Sequence, residues 1–150
     1  MRYPNYPMGT VHQLGSGDSA RRRVLVVEDN LDSVHSMVQL IKMMGHEVQF
    51  AINGFVAIDM ARRFKPDVVI LDIGLPDFDG DDIARQLRYE HGLENVRMIA
   101  ISGLPKDNLE QRALAAGCTE FYRKPIDPAR LEQLLADTPP VRSVGDKPAA

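Results

Sequence analysis

Long apolar runs are missing from this sequence, and so is any concentration of basic residues. No stretch approaches the roughly 20 apolar residues that span a bilayer, so no membrane-crossing helix is expected. A net charge of −3 and a pI of about 5.8, with both signs interspersed along the chain, supply no positive field for a phosphate backbone and argue against direct nucleic-acid binding. Cysteine occurs once. Cys118 therefore has no internal disulfide partner. Its setting, Ala115-Ala116-Gly117-Cys118-Thr119, reads as a helix end running into a strand, where a small buried thiol is expected rather than a nucleophile or redox sensor. Residues 1–20, rich in proline, glycine and serine, lack the apolar core of a secretory signal. These absences point to a soluble protein of a reducing, cytoplasmic compartment.

What is present is one domain's worth of patterned chain. The 150 residues suit a single core and are too few for two ordinary ones. Residues 1–21 and 138–150 carry no hydrophobic period and are expected to be flexible tails around a domain of residues 22–137. Inside those limits short apolar runs alternate with segments of helical period, the pattern of a parallel sheet with crossover helices. The runs are Val24–Val27, Glu47–Phe50, Val68–Asp72, Val96–Ile101 and Glu120–Arg123. A first helix is expected from Asn30, an N-cap residue, with Val34, Met37, Val38, Ile41 and Met44 on one face and Gly45 as its stop. The alternation in Glu47-Val48-Gln49-Phe50 suits a strand near a sheet edge. A second helix with Ala57, Met60, Ala61 and Phe64 should close before Lys65-Pro66. A third carries Ile83, Ala84 and Leu87, and a fourth runs through Leu109, Ala113 and Ala116 to Gly117. The fifth opens on Asp127-Pro128 with Leu131, Leu134 and Leu135 inward. Five strands and five helices result.

The chemistry-bearing residues stand at the ends of these runs. Glu28 and Asp29 follow the first, Asp72 ends the third, Ser102 follows the fourth, and Lys124 follows the fifth. In an open doubly wound sheet ligands bind beyond the carboxyl ends of the strands, so these groups should share one edge. Three carboxylates there repel one another, and a hard cation relieves the repulsion. Mg²⁺ accepts oxygen ligands, keeps several waters and takes one or two carboxylates plus phosphate oxygens, which Glu28, Asp29, Asp72 and a loop carbonyl would suit. Tetrahedral zinc is disfavoured, because no Cys or His stands at a ligand spacing near these carboxylates. Lys124 and Ser102 supply a positive charge and a hydroxyl for a phosphoryl group, and an aspartate carboxylate is a competent nucleophile for phosphoryl transfer.

Taken together, Val-Val-Glu28-Asp29-Asn30, Val-Ile-Leu-Asp72-Ile-Gly-Leu-Pro76, Asp79-Gly80, Ile-Ser102-Gly103 and Lys124-Pro125, in this order, resemble the receiver domain of bacterial two-component response regulators. The likeness covers about Arg23 to Leu135. It implies the chemotaxis-type, flavodoxin-like α/β fold, a doubly wound five-stranded parallel sheet of order 2-1-3-4-5 with five helices. It also implies that Asp72 accepts a phosphoryl group from a phosphohistidine on a histidine kinase or histidine phosphotransfer protein. Glu28, Asp29, Asp72 and the Gly74 carbonyl would hold Mg²⁺, or Mn²⁺. Ser102 and Lys124 would bind phosphoryl oxygens, and Phe121, three residues before the lysine, would be the aromatic that turns inward on switching. A strained or cis Lys124-Pro125 bond is a further implication. The implied output is an altered contact surface, about Pro105 to Leu135, for a downstream effector protein, with homodimerisation left open. Such a chain is a signalling phosphoacceptor and not a metabolic enzyme. The residues after the last helix are too few for an attached output domain, which leaves a stand-alone receiver or a receiver cut from a larger protein such as a hybrid sensor kinase.

Blander readings compete at each position. Ser102-Gly103 opens a turn readily, Phe121 serves equally well as permanent core, and Asp77, Asp79 and Asp81 read as a solvated loop and helix start. His12, His35, His46 and His91 are expected in surface or boundary roles rather than as internal phosphodonors. Among other functions, a flavin-binding protein would have its cofactor phosphate repelled by Glu28-Asp29. An aspartyl-phosphate phosphatase would need a second carboxylate where Gly74 stands. A scaffold or interaction module that keeps the fold without phosphorylation is the alternative, and it leaves the filled chemical positions unexplained.

Overall fold

The computed structural model describes residues 21–73, 80–90, 92–104 and 108–140. In chain order the elements are β1 Arg23–Val27, α1 Leu31–Met43, β2 Glu47–Ala51, α2 Gly54–Phe64, β3 Val68–Asp72, α3 Gly80–Tyr89, β4 Arg97–Ser102, α4 Leu109–Ala115, β5 Glu120–Arg123 and α5 Pro128–Asp137. The strands form one parallel sheet of order β2-β1-β3-β4-β5. The expected architecture is therefore the observed one. β2 lies at an edge as its alternation required, and β4 begins and ends one residue later than its apolar run suggested, taking in Ser102.

Local chemistry accounts for most helix ends. Asn30 Oδ1 accepts from Ser33 N and Asn53 Oδ1 from Val56 N, both at 2.9 Å, which satisfies donors that a helix start leaves open. Asp127 caps α5 with Pro128 in its first turn. Gly45, at φ +92°, turns the chain out of α1 in a conformation that costs glycine nothing. At the end of α2, Pro66 bars its predecessor from right-handed helix, and Lys65 adopts φ 53°.

Both sheet faces are covered. Val24, Val26, Val68, Ile70, Ile99 and Ile101 pack under α1 and α5, against Leu40, Ile41, Met44, Leu131 and Leu135. Leu25, Val27, Val69, Leu71, Met98 and Ala100 pack under α2, α3 and α4, against Ala57, Ala61, Ile83, Leu87 and Leu109. β3 is buried along its whole length, which explains an uninterrupted apolar run rather than an alternating one. Cys118 belongs to the second of these cores, where burial pushes its thiol up to about 11 and leaves it inert.

Two expectations need correction. Thr138, assigned to the tail, is buried: its Oγ1 donates to Leu134 O at 2.8 Å and accepts from Arg97 Nη1 at 3.1 Å, and its carbonyl accepts from Arg22 Nε. Long-range partners at the opposite pole of the sheet hold it, and these leave no period in the local sequence. Asp81, read as solvated, is buried in an ion pair with Arg112 Nε at 2.7 Å that ties α3 to α4. Of the other expected tail residues, Arg21, Pro139 and Pro140 are exposed, and residues 1–20 and 141–150 lie outside the described residues.

Candidate functional site

Strand register assembles the site. Val27 pairs with Leu71, Asp72 with Ile101, and Ser102 with Arg123, so residues distant in sequence finish level with one another. Glu28 N donates to Ala51 O at 3.0 Å, Ile73 N to Ile101 O at 2.9 Å and Lys124 N to Ser102 O at 2.9 Å, which extends the ladder to the residues just past the strands. Because the strand order runs 2-1-3, chain direction across the sheet reverses between β1 and β3. Glu28 and Asp72 straddle that switch point, where a doubly wound sheet opens its crevice.

Two of the carboxylates are deeply buried, Glu28 at 3 % and Asp72 at 2 % exposure. Lys124 reaches between them: its Nζ donates to Glu28 Oε1 at 2.5 Å and to Asp72 Oδ2 at 2.6 Å. Glu28 Oε2 accepts from Asn30 N at 3.1 Å. Asp72 Oδ1 is buried and has no hydrogen-bond partner among the described residues. The electrostatics follow from this arrangement. Burial pushes the Asp72 carboxyl up to about 7, the neighbouring Glu28 carboxylate adds to the rise, and Lys124 opposes it. For Glu28 burial acts upward too, but hydrogen bonds from Asp72, Lys124 and the Asn30 amide outweigh it and hold the group below its ordinary value. Between the two acids, Asp72 is the one whose affinity for a proton is raised.

Asp29, the third expected carboxylate, lies exposed at the turn after β1. Among the described residues no three acidic, cysteine or histidine groups stand close enough to hold an ion. Of the three expected metal ligands, Glu28 and Asp72 are buried and Asp29 is exposed. Gly74, expected to lend a carbonyl, lies outside the described residues. The donor set still suits a hard cation that keeps several waters: the ligands are oxygens, and Asp72 Oδ1 has lone pairs that no described residue uses.

Ser102 is fully buried, and its Oγ accepts from Leu104 N at 3.0 Å, so the turn role read from Ser-Gly is real. The hydroxyl proton remains available for a second partner. Phe121 is half-buried against the core under α2, α3 and α4, with the Arg123 guanidinium 5.6 Å from its ring centre. The Lys124-Pro125 bond is cis, as the resemblance implied. Beside Lys124 a groove of about 470 Å³ runs between α1 and the start of α5, lined by Met37, Leu40, Ile101 and Ile126. His35 is exposed on α1, and His46 sits at the far end of the sheet, where its Nδ1 accepts from Arg22 N at 2.9 Å. Burial first, and then the charge of Arg22, depress that imidazole to about 4. His46 is therefore neutral and structural. Arg123 is a neighbour of the site that no local pattern marks, since its contact with the Leu104 carbonyl is made across strands.

Gly80 packs closely against Ile73. A Cβ there would fall 2.4 Å from Ile73 Cγ2 and 3.0 Å from Ile73 Cα, so the first residue of α3 lies directly against the residue that follows Asp72. Only glycine permits that approach.

Comparison with known proteins agrees with this geometry. Residues 24–136 match the family described as response regulator receiver domain. The polar-differentiation response regulator DivK of Brucella anthropi is 31 % identical over 114 residues, covering 76 % of this chain and 93 % of that protein. The receiver domain of a sensor histidine kinase from Pseudomonas aeruginosa, solved with a magnesium ion coordinated in its active-site cleft, is 26 % identical. Its TM-score is 0.71, and the match covers 79 % of this chain and 98 % of that one. The chemotaxis protein CheY4 of Vibrio cholerae, at 23 % identity, shares the fold with a TM-score of 0.73 over 80 % of this chain and all of its own. The chain belongs to the response regulator receiver domains, the phosphoacceptor modules of two-component signalling.

Proposed function

We propose that Asp72 is the phosphoacceptor, that Glu28, Asp29 and Asp72 bind Mg²⁺, and that Ser102 and Lys124 receive the phosphoryl oxygens. The observation that carries this reading is the state of the Asp72 carboxylate: buried, gripped at Oδ2 by Lys124, and without a partner at Oδ1 among the described residues. A buried polar atom with no partner is costly, and a site that binds a cation and a phosphoryl group recovers the cost. In the transfer an Asp72 oxygen forms a bond to phosphorus while the bond from phosphorus to the donor's imidazole nitrogen breaks, the nitrogen keeping the electron pair. Bound Mg²⁺ would neutralise charge on the phosphoryl oxygens. Lys124, already at the carboxylate, would follow its new phosphoryl oxygens, and the Ser102 hydroxyl would donate its free proton to another.

The donor is a histidine kinase or a histidine phosphotransfer protein. The apolar groove beside Lys124 supports an approach from the side of α1. Phosphorylation adds roughly two negative charges, and a switch from 1:99 to 99:1 needs about 5.5 kcal/mol of differential stabilisation. Several charge-assisted contacts in a sheltered site can supply that. The output surface is the expected one from Pro105 to Leu135, of which 105–107 lie outside the described residues. No helix among the described residues is long and apolar enough to cross a membrane, and the reading assigns the protein to the cytoplasm as a signalling component rather than a metabolic enzyme. Beryllofluoride with Mg²⁺ mimics an aspartyl phosphate. The parent protein should bind it and Asp72→Ala should not; equal binding by both would sink the assignment.

A further inference from the structure

The turn after β4 is held from two directions. Leu104 N donates to Ser102 Oγ at 3.0 Å, and Leu104 O accepts from Arg123 Nη1 at 2.7 Å. A single peptide segment thus links the hydroxyl of the proposed site to a guanidinium on the neighbouring strand. Register explains the arrangement. Ser102 pairs with Arg123 and Ala100 with Phe121, and paired residues of parallel strands project to the same sheet face. Arg123 and Phe121, two apart on β5, share that face as well. The guanidinium accordingly lies over the Phe121 ring, 5.6 Å from its centre, while it grips the turn. Leu104 and Phe121 both pack against the core beneath.

We infer that Arg123 is a latch on the β4–α4 turn, a positioning residue that holds Ser102 and Phe121 in the unmodified arrangement and so sets how readily the domain switches. The inference rests on the reading of Asp72 as phosphoacceptor. If Ser102 is to move towards a phosphoryl group on Asp72, the Leu104 amide must leave its Oγ or travel with it. Either movement pulls the Leu104 carbonyl away from Arg123. The Arg123 bond is made in the unmodified state and lost in the modified one, so it biases the equilibrium against switching. Once the guanidinium is released from the turn, its contact with Phe121 loosens too, which couples the aromatic to the hydroxyl. The bond is charge-assisted but exposed, so its loss should shift the switch by roughly threefold to tenfold rather than by orders of magnitude.

The test is a titration of beryllofluoride and Mg²⁺ followed by ¹⁹F NMR, with urea unfolding of each unliganded protein alongside. Arg123→Ala should bind the mimic roughly threefold to tenfold more tightly than the parent while its unliganded form is no more stable than the parent. Arg123→Lys, which retains a cationic donor, should stay close to the parent, and the gain should vanish in the Ser102→Ala background. A residue that only supports the fold would lower stability and affinity together. Affinity for the mimic equal to or weaker than the parent's in Arg123→Ala, or an undiminished gain without the Ser102 hydroxyl, would overturn the latch. A parent that fails to bind the mimic at all would instead overturn the site assignment beneath it.

Discussion

Lys124 and Asp72, 52 positions apart in the chain, meet at 2.6 Å between Nζ and Oδ2. The contact forms because β3 and β5 flank β4 and end level with it, and because the Lys124 amide is tied to the Ser102 carbonyl. The same ammonium also bonds Glu28, so a single cation compensates two carboxylates, one at each side of the switch point.

Removing that cation should be costly. Burial alone would lower the lysine's pKa, but its hydrogen bonds to Asp72 and Glu28 outweigh burial and raise it, so its contribution is fully present throughout the neutral range and is lost only as pH rises past 10.5. Lys124→Met leaves two buried acids facing each other. Because the lysine side chain is 27 % exposed, the loss should fall below the usual range for a broken buried pair, at about 2 kcal/mol near neutral pH without Mg²⁺. Urea unfolding should show the deficit shrinking at acid pH, where a carboxyl takes up a proton, and shrinking again when Mg²⁺ is added.

Asp72 itself should destabilise the unmodified protein. Its folded pKa, about 7, exceeds the ordinary 3.8, so the native state binds the proton more readily than the unfolded chain. Stability from this group is therefore full below 3.8, declines as pH rises, and is gone above about 7. Asp72→Asn removes the penalty. The depressed Glu28 pKa works in the opposite sense, so the net gain above pH 7 should be on the order of 1–2 kcal/mol rather than the full linkage value. Unfolding curves of the variant and parent should converge at acid pH, and Mg²⁺ should stabilise the parent more than the variant.

Two glycines beside the site should respond differently to a methyl group. Gly80→Ala drives a Cβ into Ile73, including its backbone, and should cost about 1–3 kcal/mol by overpacking. It should also weaken Mg²⁺ binding, since Ile73 follows Asp72 directly. At Gly103 the nearest atom to an added Cβ is Lys124 Cδ at 3.7 Å, an ordinary contact, so Gly103→Ala should fold with nearly parental stability. Thermal melts with and without Mg²⁺ check both.

Most of the fold was legible because it is written in local terms. The fully apolar Val68–Leu71, the alternating Glu47–Phe50, the caps at Asn30 and Asp127 and the stop at Gly45 each act within a few residues. The identity of the site residues was legible for a related reason: a doubly wound sheet sends every strand end to one edge, so strand ends alone locate Glu28, Asp72, Ser102 and Lys124. Their connectivity was not legible. That Lys124 divides itself between two acids, that Asp29 stays exposed, and that Arg123 grips the Leu104 carbonyl all depend on register and side-chain reach between strands. The burial of Thr138 and the Asp81–Arg112 pair were hidden for the same reason.

The central claim is that Asp72, and not another of the acids at this edge, takes the phosphoryl group. It is tested most directly by incubating the protein with acetyl phosphate and Mg²⁺, trapping the acyl phosphate with borohydride and mapping the modified peptide by mass spectrometry. The account predicts a single Mg²⁺-dependent modification at Asp72, absent from Asp72→Ala. Modification at Glu28 or Asp29 in the parent, or undiminished labelling of Asp72→Ala, would contradict it.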